Sequence, residues 1–228
     1  MRGFRAPDVT IGRLAEYLRA LNSMDLAGHP PRFISSHELG PLVGVTSAQV
    51  RKDLALFGEF GKQGVGYDAA NLRRELQQIL NADRRINVGL AGVGELGDAL
   101  LRYNIRRAAQ DREYPFVMAA AFDTNPKKIG TTVDGVTPVY NVLDMPEVTR
   151  QKDLEIGIIT VPASVAQSVA DSLVKGGIRA ILNFAPTKLT VREDVRVRYA
   201  DVSLELLCLG YYLGPRRVRP DGGGPATG

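Results

Sequence analysis

The sequence predicts an α/β protein, and three observations lead to that prediction. From residue 86 onward, apolar segments of strand length alternate with segments of helix length, which is typical of a parallel sheet covered by helices on both faces. Before residue 83, apolar residues recur at the spacing of amphipathic helices. After both parts, residues 204–214 would form a helix that is apolar on nearly all of its faces.

Composition limits the class of protein. A chain of 228 residues with 44% hydrophobic residues can form one or two domains with a real core. Its single cysteine, Cys208, excludes an intrachain disulfide and fits a reducing compartment. Since no segment approaches the roughly 20 apolar residues of a membrane span, and the N-terminus lacks the apolar run of a signal peptide, we expect a cytoplasmic protein without membrane contact. The net charge of +4 permits a polyanionic partner.

The first 82 residues contain the pattern of a helix-turn-helix. Residues 9–26 have the periodicity of an amphipathic helix. Ser35-Ser-His-Glu38 and Thr46-Ser-Ala-Gln49 each have the form of a capping box that opens a helix, and Gly44 ends the first of these two helices. Two helices separated by so tight a turn predict a helix-turn-helix.

The second of these helices is expected to contact DNA. Arginine and glutamine side chains can bind guanine and adenine edges bidentately, and a lysine suits a phosphate. Asp53 is expected to orient Arg51 rather than to face a phosphate. The predicted DNA-contacting residues of this helix are Ser47, Gln49, Arg51 and Lys52.

Behind this helix, glycines at 58, 61, 64 and 66 alternate with aromatic and apolar residues. This pattern predicts a two-stranded wing with Lys62 at its tip, able to reach the DNA backbone or the minor groove. The order of helices, turn, basic face and wing predicts a winged helix-turn-helix DNA-binding domain over residues 1–82. The alternative is a helical protein–protein module in which the glycines are only a linker.

A nucleotide-binding turn begins at residue 86. An apolar strand runs into a Gly-x-Gly-x-x-Gly loop and then a helix, so that Gly92 permits the tight turn, Gly94 lets a pyrophosphate approach and Gly97 lets the helix pack closely. The free N–H groups of the helix N-terminus face the phosphates. The predicted binding residues of the loop are Gly92, Val93, Gly94, Glu95, Leu96 and Gly97.

The cofactor is predicted from the end of the next strand. Asp123 lies 26 residues beyond Gly97, near the roughly 20 expected for a carboxylate that binds the adenine ribose hydroxyls. Because an acid there repels a 2′-phosphate, we expect NAD(H) rather than NADP(H), with Lys127 and Lys128 as a mild counter-argument. Asp123, Lys128 and Tyr103 are predicted to bind the cofactor. Another nucleotide, CoA or no ligand are the alternatives.

Two later strands end in residues that could frame an apolar slot for a planar ring: Thr160, Val161 and Pro162, then Asn183, Phe184 and Pro186. The alternative interpretation is that these residues only end the strands and bind no ligand. Together these segments predict a Rossmann doubly wound parallel-sheet domain over residues 83–203.

No catalytic equipment accompanies this domain. Both histidines, His29 and His37, lie in the N-terminal domain, and no segment remains for a substrate domain. We expect no catalytic residues, no metal site and no enzyme. A small NAD-dependent oxidoreductase and a CoA-binding protein remain the alternatives.

The apolar segment at 204–214 predicts a buried helix. Since too little chain remains to cover it, a partner subunit is the expected cover, and the helix is a dimerisation helix of a homodimer. Packing in a groove of its own chain is the alternative. The glycine- and proline-rich residues 215–228 are expected to be disordered.

Taken together, the motifs over residues 9–213 resemble those of the redox-sensing transcriptional repressors of the Rex family. The motifs are Gln49-Val-Arg-Lys-Asp-Leu54, Phe57-Gly, Gly64-Val-Gly-Tyr67, Val93-Gly-Glu-Leu-Gly97, Phe122-Asp123, Thr160-Val-Pro162, Gly177-Ile and Asn183-Phe-Ala-Pro186.

The resemblance implies a homodimer that binds palindromic double-stranded operator DNA when NAD⁺ prevails and releases it when NADH rises, controlling respiratory and fermentative genes. It also implies a terminal helix exchanged between subunits. In the family, a tyrosine in the helix after the glycine loop and an arginine–aspartate pair between domains are linked to switching. The matching positions here are Tyr103, Arg19 and Asp201.

Overall fold

The computed structural model describes residues 6–26, 31–62 and 64–213, and these form two compact units. One unit extends to Ile86 and includes Gln110–Pro115, and the other comprises Asn87–Ala109 and the chain from Phe116 onward. The sequence did not predict that Gln110–Pro115 joins the first unit. Polar contacts explain it, because the Glu113 carboxylate lies 3.6 Å from Arg73 Nη1 and accepts from Gln77 Nε2 at 3.5 Å. The predicted disordered tail lies outside the described residues.

The first unit is a winged helix-turn-helix, as predicted. Its elements are α1 (Asp8–Leu26), β1 (Phe33–Ile34), α2 (Ser36–Leu42), α3 (Ser47–Ala55), β2 (Gly61–Lys62), β3 (Gly66–Asp68) and α4 (Ala69–Ile79). The wing is the antiparallel pair β2–β3, and β1 adds a third strand on the other side of β3. The sequence predicted a loop where β1 lies, because two residues are too few to show an alternating pattern.

A single apolar cluster holds the helices and β1 of this unit together. Its largest members are fully or almost fully buried: Leu14, Tyr17, Leu21, Ile34, Leu39, Val50, Leu54, Leu72 and Leu76. Val50 and Leu54 anchor the inner face of α3, as expected from the sequence. The opposite face of α3 is exposed at Arg51 and Lys52, so the helix-turn-helix presents a cationic surface.

The second unit is built on a seven-stranded sheet. Its elements are β4 (Ile86–Ala91), α5 (Glu95–Gln110), β5 (Phe116–Asp123), β6 (Thr132–Val133), β7 (Thr137–Asn141), α6 (Met145–Gln151), β8 (Ile156–Ile159), α7 (Ala163–Gly176), β9 (Ala180–Asn183), β10 (Arg196–Tyr199) and α8 (Val202–Tyr211). The strand order is β10-β9-β8-β4-β5-β7-β6. The pairings of β10 with β9, β9 with β8, β8 with β4 and β5 with β7 are parallel, and β6 is antiparallel to β7.

The strand order reverses at β4. From β4 the chain continues to β5, β6 and β7 on one side, where β7 lies between β5 and β6, and then returns to β8, β9 and β10 on the other. This reversal makes the carboxyl end of β4 a topological switch point, where open α/β sheets bind their ligands. The predicted doubly wound sheet is therefore confirmed, and the glycine loop lies at its switch point.

The last helix, α8, is exposed along its whole length. It begins at Val202, two residues earlier than predicted, because the Asp201 carboxylate caps it by accepting from the Ser203 and Leu204 N–H groups at 3.0 and 3.2 Å. Leu206 is 63% exposed and Leu207 74% exposed. The alternative, that this helix packs in a groove of its own chain, is therefore wrong. Among the described residues, no helix is long and apolar enough to cross a membrane.

Candidate functional site

The glycine loop has the shape that its spacing predicts. Gly92 has a φ of +97°, in the left-handed region that favours glycine. A Cβ at Gly97 would lie 1.9 Å from the Gly92 carbonyl oxygen, so the first turn of α5 can pack against the loop only without a side chain there. The Thr160 hydroxyl lies 2.8 Å from the same carbonyl oxygen and donates to it. Loop, helix and the end of β8 are thereby joined.

The middle of the loop is open. A Cβ at Gly94 would meet no atom within 4 Å, and Gly94, Glu95 and Leu96 are exposed. The Val93 side chain is buried in the core instead, so Val93 can offer a ligand only its backbone. The exposed backbone at Gly94 and the N-terminus of α5 are what an anionic group would meet here.

Two charged side chains bond to the backbone of Val93, one at its N–H group and the other at its carbonyl oxygen. The Asp123 carboxylate accepts from the Val93 N–H at 2.9 Å and from the Asn125 N–H at 2.8 Å. The Lys128 ammonium donates to the Val93 carbonyl oxygen and lies 3.8 Å from Asp123 Oδ2. The predicted ribose-binding acid therefore lies against the glycine loop. Lys128, which the sequence also predicted in the cofactor site, joins it there.

Three strand ends form one row beside the loop. In the parallel register, Ala91 is paired with Ile159, and Ile159 with Asn183. The residues that follow, Gly92, Thr160 and Phe184, consequently emerge at the same edge of the sheet. The structure thus brings together the strand ends that the sequence predicted as one site.

The side chains at these strand ends have unequal roles. Asn183 is buried and builds its own loop, donating to the carbonyl oxygens of Ala185 and Thr187 at 3.1 and 2.9 Å and accepting from the Ala185 N–H at 3.0 Å. The Asn183 amide therefore shapes the loop, and its contact with a cofactor stays a prediction. The side chains that remain available for an apolar slot are Val161 and Phe184, both half-buried, and the exposed Pro162.

A cleft of about 340 Å³ borders the glycine loop. Val93, Gly94, Glu95, Arg102 and Lys128 are among the residues that line it. Arg102, which the sequence did not single out, donates to Asp98 at 2.7 Å, and this hydrogen bond raises the pKa of Arg102 above its ordinary value.

The three predicted switch residues lie on different elements of the chain. Arg19 is exposed on α1 of the first unit, and Tyr103 is 53% exposed on α5 of the second. Asp201 is half-buried, and its carboxylate is engaged as the cap of α8. An acidic cap is favourable at the positive end of a helix, so Asp201 has a structural role in addition to its predicted role in switching.

The recognition helix α3 differs from its prediction in one detail. The Thr46 hydroxyl accepts from the Gln49 N–H at 3.2 Å, as a cap should. The predicted capping box is incomplete, however, because the Gln49 amide nitrogen donates to Asp53 Oδ1 at 2.8 Å instead of returning to the cap. The predicted capping box at Ser35, in contrast, is complete.

The other predicted DNA contacts divide by exposure. Arg51 and Lys52 are exposed, and Ser47 is half-buried at the first position of α3. Arg51 donates to the Ser36 hydroxyl at 2.9 Å, so the expectation that Asp53 orients it is wrong. Lys62 belongs to β2, but its side chain lies outside the described residues.

Asp53 is the centre of a buried network. It is 1% exposed and accepts from Arg13 Nε and Nη2 at 2.6 and 2.7 Å and from the Tyr17 hydroxyl at 2.9 Å, besides Gln49. Burial raises the pKa of Asp53, but the hydrogen bonds from Arg13, Gln49 and Tyr17 lower it further, so the pKa lies below its ordinary value. The ionised carboxylate therefore joins α3 to α1.

Both units of the chain are similar to known proteins. A family model described as "Putative DNA-binding protein N-terminus" matches residues 5–55, and one described as "CoA binding domain" matches residues 83–187. Two solved structures are similar over 92% of this chain. "Crystal structure of RSP in complex with beta-NAD+ and operator DNA" has a TM-score of 0.82, 34% identity and 94% of its chain covered. "Crystal structure of RSP in complex with beta-NADH" has a TM-score of 0.78, 32% identity and 95% covered.

Curated relatives extend over nearly the whole chain. The "Redox-sensing transcriptional repressor Rex" of Natranaerobius thermophilus is 42% identical over 208 residues, which cover 91% of each chain. The protein of the same name from Desulfitobacterium hafniense is 43% identical over 218 residues, which cover 96% of this chain and 100% of the relative. Since identity of this level spans both units, the chain belongs to the Rex family of redox-sensing transcriptional repressors.

Proposed function

We propose that this protein is a transcriptional repressor that senses the NADH/NAD⁺ ratio: it binds operator DNA when NADH is low and dissociates when NADH binds. The observation that carries the proposal is the combination, in one chain, of a cationic recognition helix and a glycine loop at the switch point of a parallel sheet. The RSP structures, similar over both units, contain β-NAD⁺ with operator DNA in one case and β-NADH in the other.

The proposed domains are a DNA-binding domain over residues 1–82, a cofactor-binding domain over 83–203 and a dimerisation helix over 204–214. In the second domain, the backbone at Gly94 and the N-terminus of α5 would bind the pyrophosphate, and Asp123 would bind the adenine ribose. These groups are common to both cofactor forms and cannot distinguish them. Discrimination therefore falls to the nicotinamide ring, which is cationic in NAD⁺ and neutral in NADH.

The apolar edge at Val161, Pro162 and Phe184 favours the neutral ring. Burying a cation against apolar groups carries a desolvation cost that a neutral ring does not carry. The cofactor is bound and released unchanged, so the protein acts as a sensor rather than as an enzyme. It acts in the cytoplasm, which contains both the chromosome and the NAD(H) pool.

Dimerisation is proposed from α8. Its exposed leucines would each contribute about 1.5–3 kcal/mol if buried against a partner, and every contact occurs twice in a two-fold dimer. A dimer also presents two recognition helices to half-sites about 34 Å apart. Leu206→Asp is expected to convert the dimer to a monomer in sedimentation velocity, whereas Glu205→Gln, on the same exposed helix, should leave the dimer intact.

The proposed switch residues can be tested without damage to the fold. Asp201→Asn removes the charge but keeps a side chain that caps helices as well as aspartate does. If Asp201 acts with Arg19 and Tyr103 in switching, Asp201→Asn will retain NADH binding and the structure of α8 but alter the release of DNA. An unchanged release by this variant would limit Asp201 to its role as a cap.

The repressor function is tested by fluorescence-anisotropy titration with DNA selected from a random-sequence duplex library, at one fixed salt concentration because phosphate contacts dominate affinity. We expect NADH to release the DNA and NAD⁺ to leave it bound. Arg51→Ala and Lys52→Ala should abolish DNA binding but keep NADH binding. A parallel titration with CoA tests the other ligand that the family model for residues 83–187 suggests. If CoA releases the DNA and NADH does not, CoA is the effector.

Linkage gives a second, independent test. If NADH weakens operator binding by a given factor, operator DNA must weaken NADH binding by the same factor. NADH affinity is measured with and without a saturating operator. Equal affinities would contradict the proposed coupling even if both ligands bind.

A further inference from the structure

The polarity of the Gln49 amide is set by its partner. Asp53 Oδ1 accepts a hydrogen bond at 2.8 Å from the Gln49 side-chain nitrogen. An ionised carboxylate can only accept hydrogen bonds, so the –NH₂ group of Gln49 must face it and Oε1 must lie on the other side of the amide. Among the described residues, no hydrogen bond to Oε1 is found.

Asp53 itself has no freedom to turn. Its Oδ2 accepts from Arg13 Nε and the Tyr17 hydroxyl, and its Oδ1 accepts from Arg13 Nη2 in addition to Gln49. Four hydrogen bonds use the acceptor sites of both oxygens. Because Arg13 and Tyr17 belong to α1, the orientation of Gln49 on α3 is imposed from another helix.

Gln49 occupies a position from which DNA is read. It is the third residue of α3 and is half-buried, and the N-terminal residues of a recognition helix are those that contact base edges. In the major groove, adenine and cytosine present amino donors, whereas guanine and thymine present carbonyl acceptors at the corresponding positions.

We propose that Asp53 is a positioning residue that determines base specificity: it holds the Gln49 amide in one polarity, so that Oε1 accepts a hydrogen bond from the amino group of an adenine or a cytosine. This inference rests on the proposed DNA-binding function and specifies what one residue of the recognition helix reads. A freely rotating amide could present either its oxygen or its nitrogen. It would therefore bind a base that presents an amino group and a base that presents a carbonyl group equally well.

The test begins with base preferences. Operators are selected from a random-sequence duplex library in the presence of NAD⁺ by the wild type, Gln49→Met and Gln49→Glu. Methionine keeps the length of the side chain without its polar groups, and glutamate keeps only acceptors. We expect Gln49→Met to lose the preference for adenine or cytosine at one position of each half-site, and Gln49→Glu to keep this preference with weaker affinity overall.

Base analogues then locate the contact. At the position that depends on Gln49, adenine is replaced by purine, or cytosine by 2-pyrimidinone, each of which lacks the amino group. The wild type and Gln49→Glu should lose about 3- to 10-fold in affinity, the range of one hydrogen bond. Gln49→Met should show no loss beyond that of the altered base pair. Equal losses in the wild type and Gln49→Met would overturn the proposal.

The role of Asp53 is measured with Asp53→Asn. In this variant the amide oxygen can stay with Arg13 Nε and the Tyr17 hydroxyl while –NH₂ turns toward Gln49, which reverses the Gln49 amide and leaves Arg13 Nη2 without its acceptor. We expect the preference for an amino base over a carbonyl base to fall or invert, with affinity for non-operator DNA at the same salt unchanged. A loss of structure alone would lower both affinities together. An unaltered preference in folded Asp53→Asn overturns the positioning role. If this variant does not fold, equal base preferences in Gln49→Met and the wild type overturn the proposal, because it requires that Oε1 contact the base.

Failure of this inference is distinct from failure of the proposed function. If the wild type selects no sequence, the repressor function itself is wrong. If it selects an operator that NADH releases, but the base preferences of the Gln49 variants equal those of the wild type, only the inference about Gln49 and Asp53 is wrong.

Discussion

The recognition helix α3 and the glycine loop behind β4 are held in place by opposite means. A buried carboxylate with four hydrogen bonds joins α3 to α1. Asp123 and Lys128 bond to the loop only at the backbone of Val93, whereas the contact between the loop and α5 requires the absence of a side chain, because a Cβ at Gly97 would collide with the Gly92 carbonyl oxygen. The comparison teaches that the DNA-binding element is vulnerable to the loss of a charge, and the cofactor-binding element to the gain of a methyl group.

The largest effect is expected from Asp53→Ala. It leaves the Arg13 guanidinium, 20% exposed, and the buried Tyr17 hydroxyl without their acceptor, and breaking a buried ion pair costs about 3–5 kcal/mol. Urea unfolding followed by circular dichroism measures the loss. The matched control is Asp25→Ala, which breaks the surface pair with Arg73 and should cost about 0–1 kcal/mol. Equal losses in the two variants would contradict the structural importance of the buried network.

A smaller effect is expected in the glycine loop. Gly97→Ala forces the loop and α5 apart, and overpacking of this kind costs about 1–3 kcal/mol of stability. NADH binding, measured by cofactor fluorescence, should be lost with it because the N-terminus of α5 shifts from the loop.

Gly94→Ala separates binding from folding. Since no atom lies within 4 Å of its Cβ position, the free energy of unfolding should change by less than about 0.5 kcal/mol. NADH affinity should fall nonetheless, because the methyl group occupies the space that the pyrophosphate needs. Undiminished NADH affinity in Gly94→Ala would show that the phosphates bind elsewhere.

The pH dependence of stability sharpens the comparison further. The pKa of Asp53 is lowered in the folded state, so its contribution to stability is present above the unfolded pKa of about 3.9 and is lost as pH falls through the lower folded value. We expect the difference in unfolding free energy between the wild type and Asp53→Asn to be constant from about pH 5 to 8 and to shrink below about pH 4. A difference that persists unchanged at the lowest pH would show that the charge of Asp53 is not what stabilises the unit.

The smallest effect is expected from Arg102→Gln. Its ion pairs with Asp98 and Asp134 lie at the surface beside the glycine loop, where solvent screens them. The unfolding midpoint should equal that of the wild type within error. A clear loss of stability would mean that the cofactor unit also relies on charge, and would remove the contrast with α3.

Prediction from sequence succeeded where the signal is local. The glycine spacing, the capping box at Ser35 and the apolar periodicity of α3 each lie within a few residues of chain, and the structure agrees with all three. The prediction failed for Asp53, which was assigned to the neighbouring Arg51. Of its actual partners, Gln49 is four residues away, but Arg13 and Tyr17 are 40 and 36 residues away along the chain.

The sequence alone determined the α/β class, the order of the DNA-binding and cofactor-binding parts and the family, since helix periodicity, caps and glycine turns are set by residues close together in the chain. Only the tertiary structure decided which hydrogen bonds the polar side chains of the two sites make. It turned Asn183 inward to its own loop, tied Asp123 and Lys128 to the Val93 peptide and set the polarity of Gln49. The physical reason is that a buried polar group must find a hydrogen-bond partner, and packing brings that partner from a distant part of the chain.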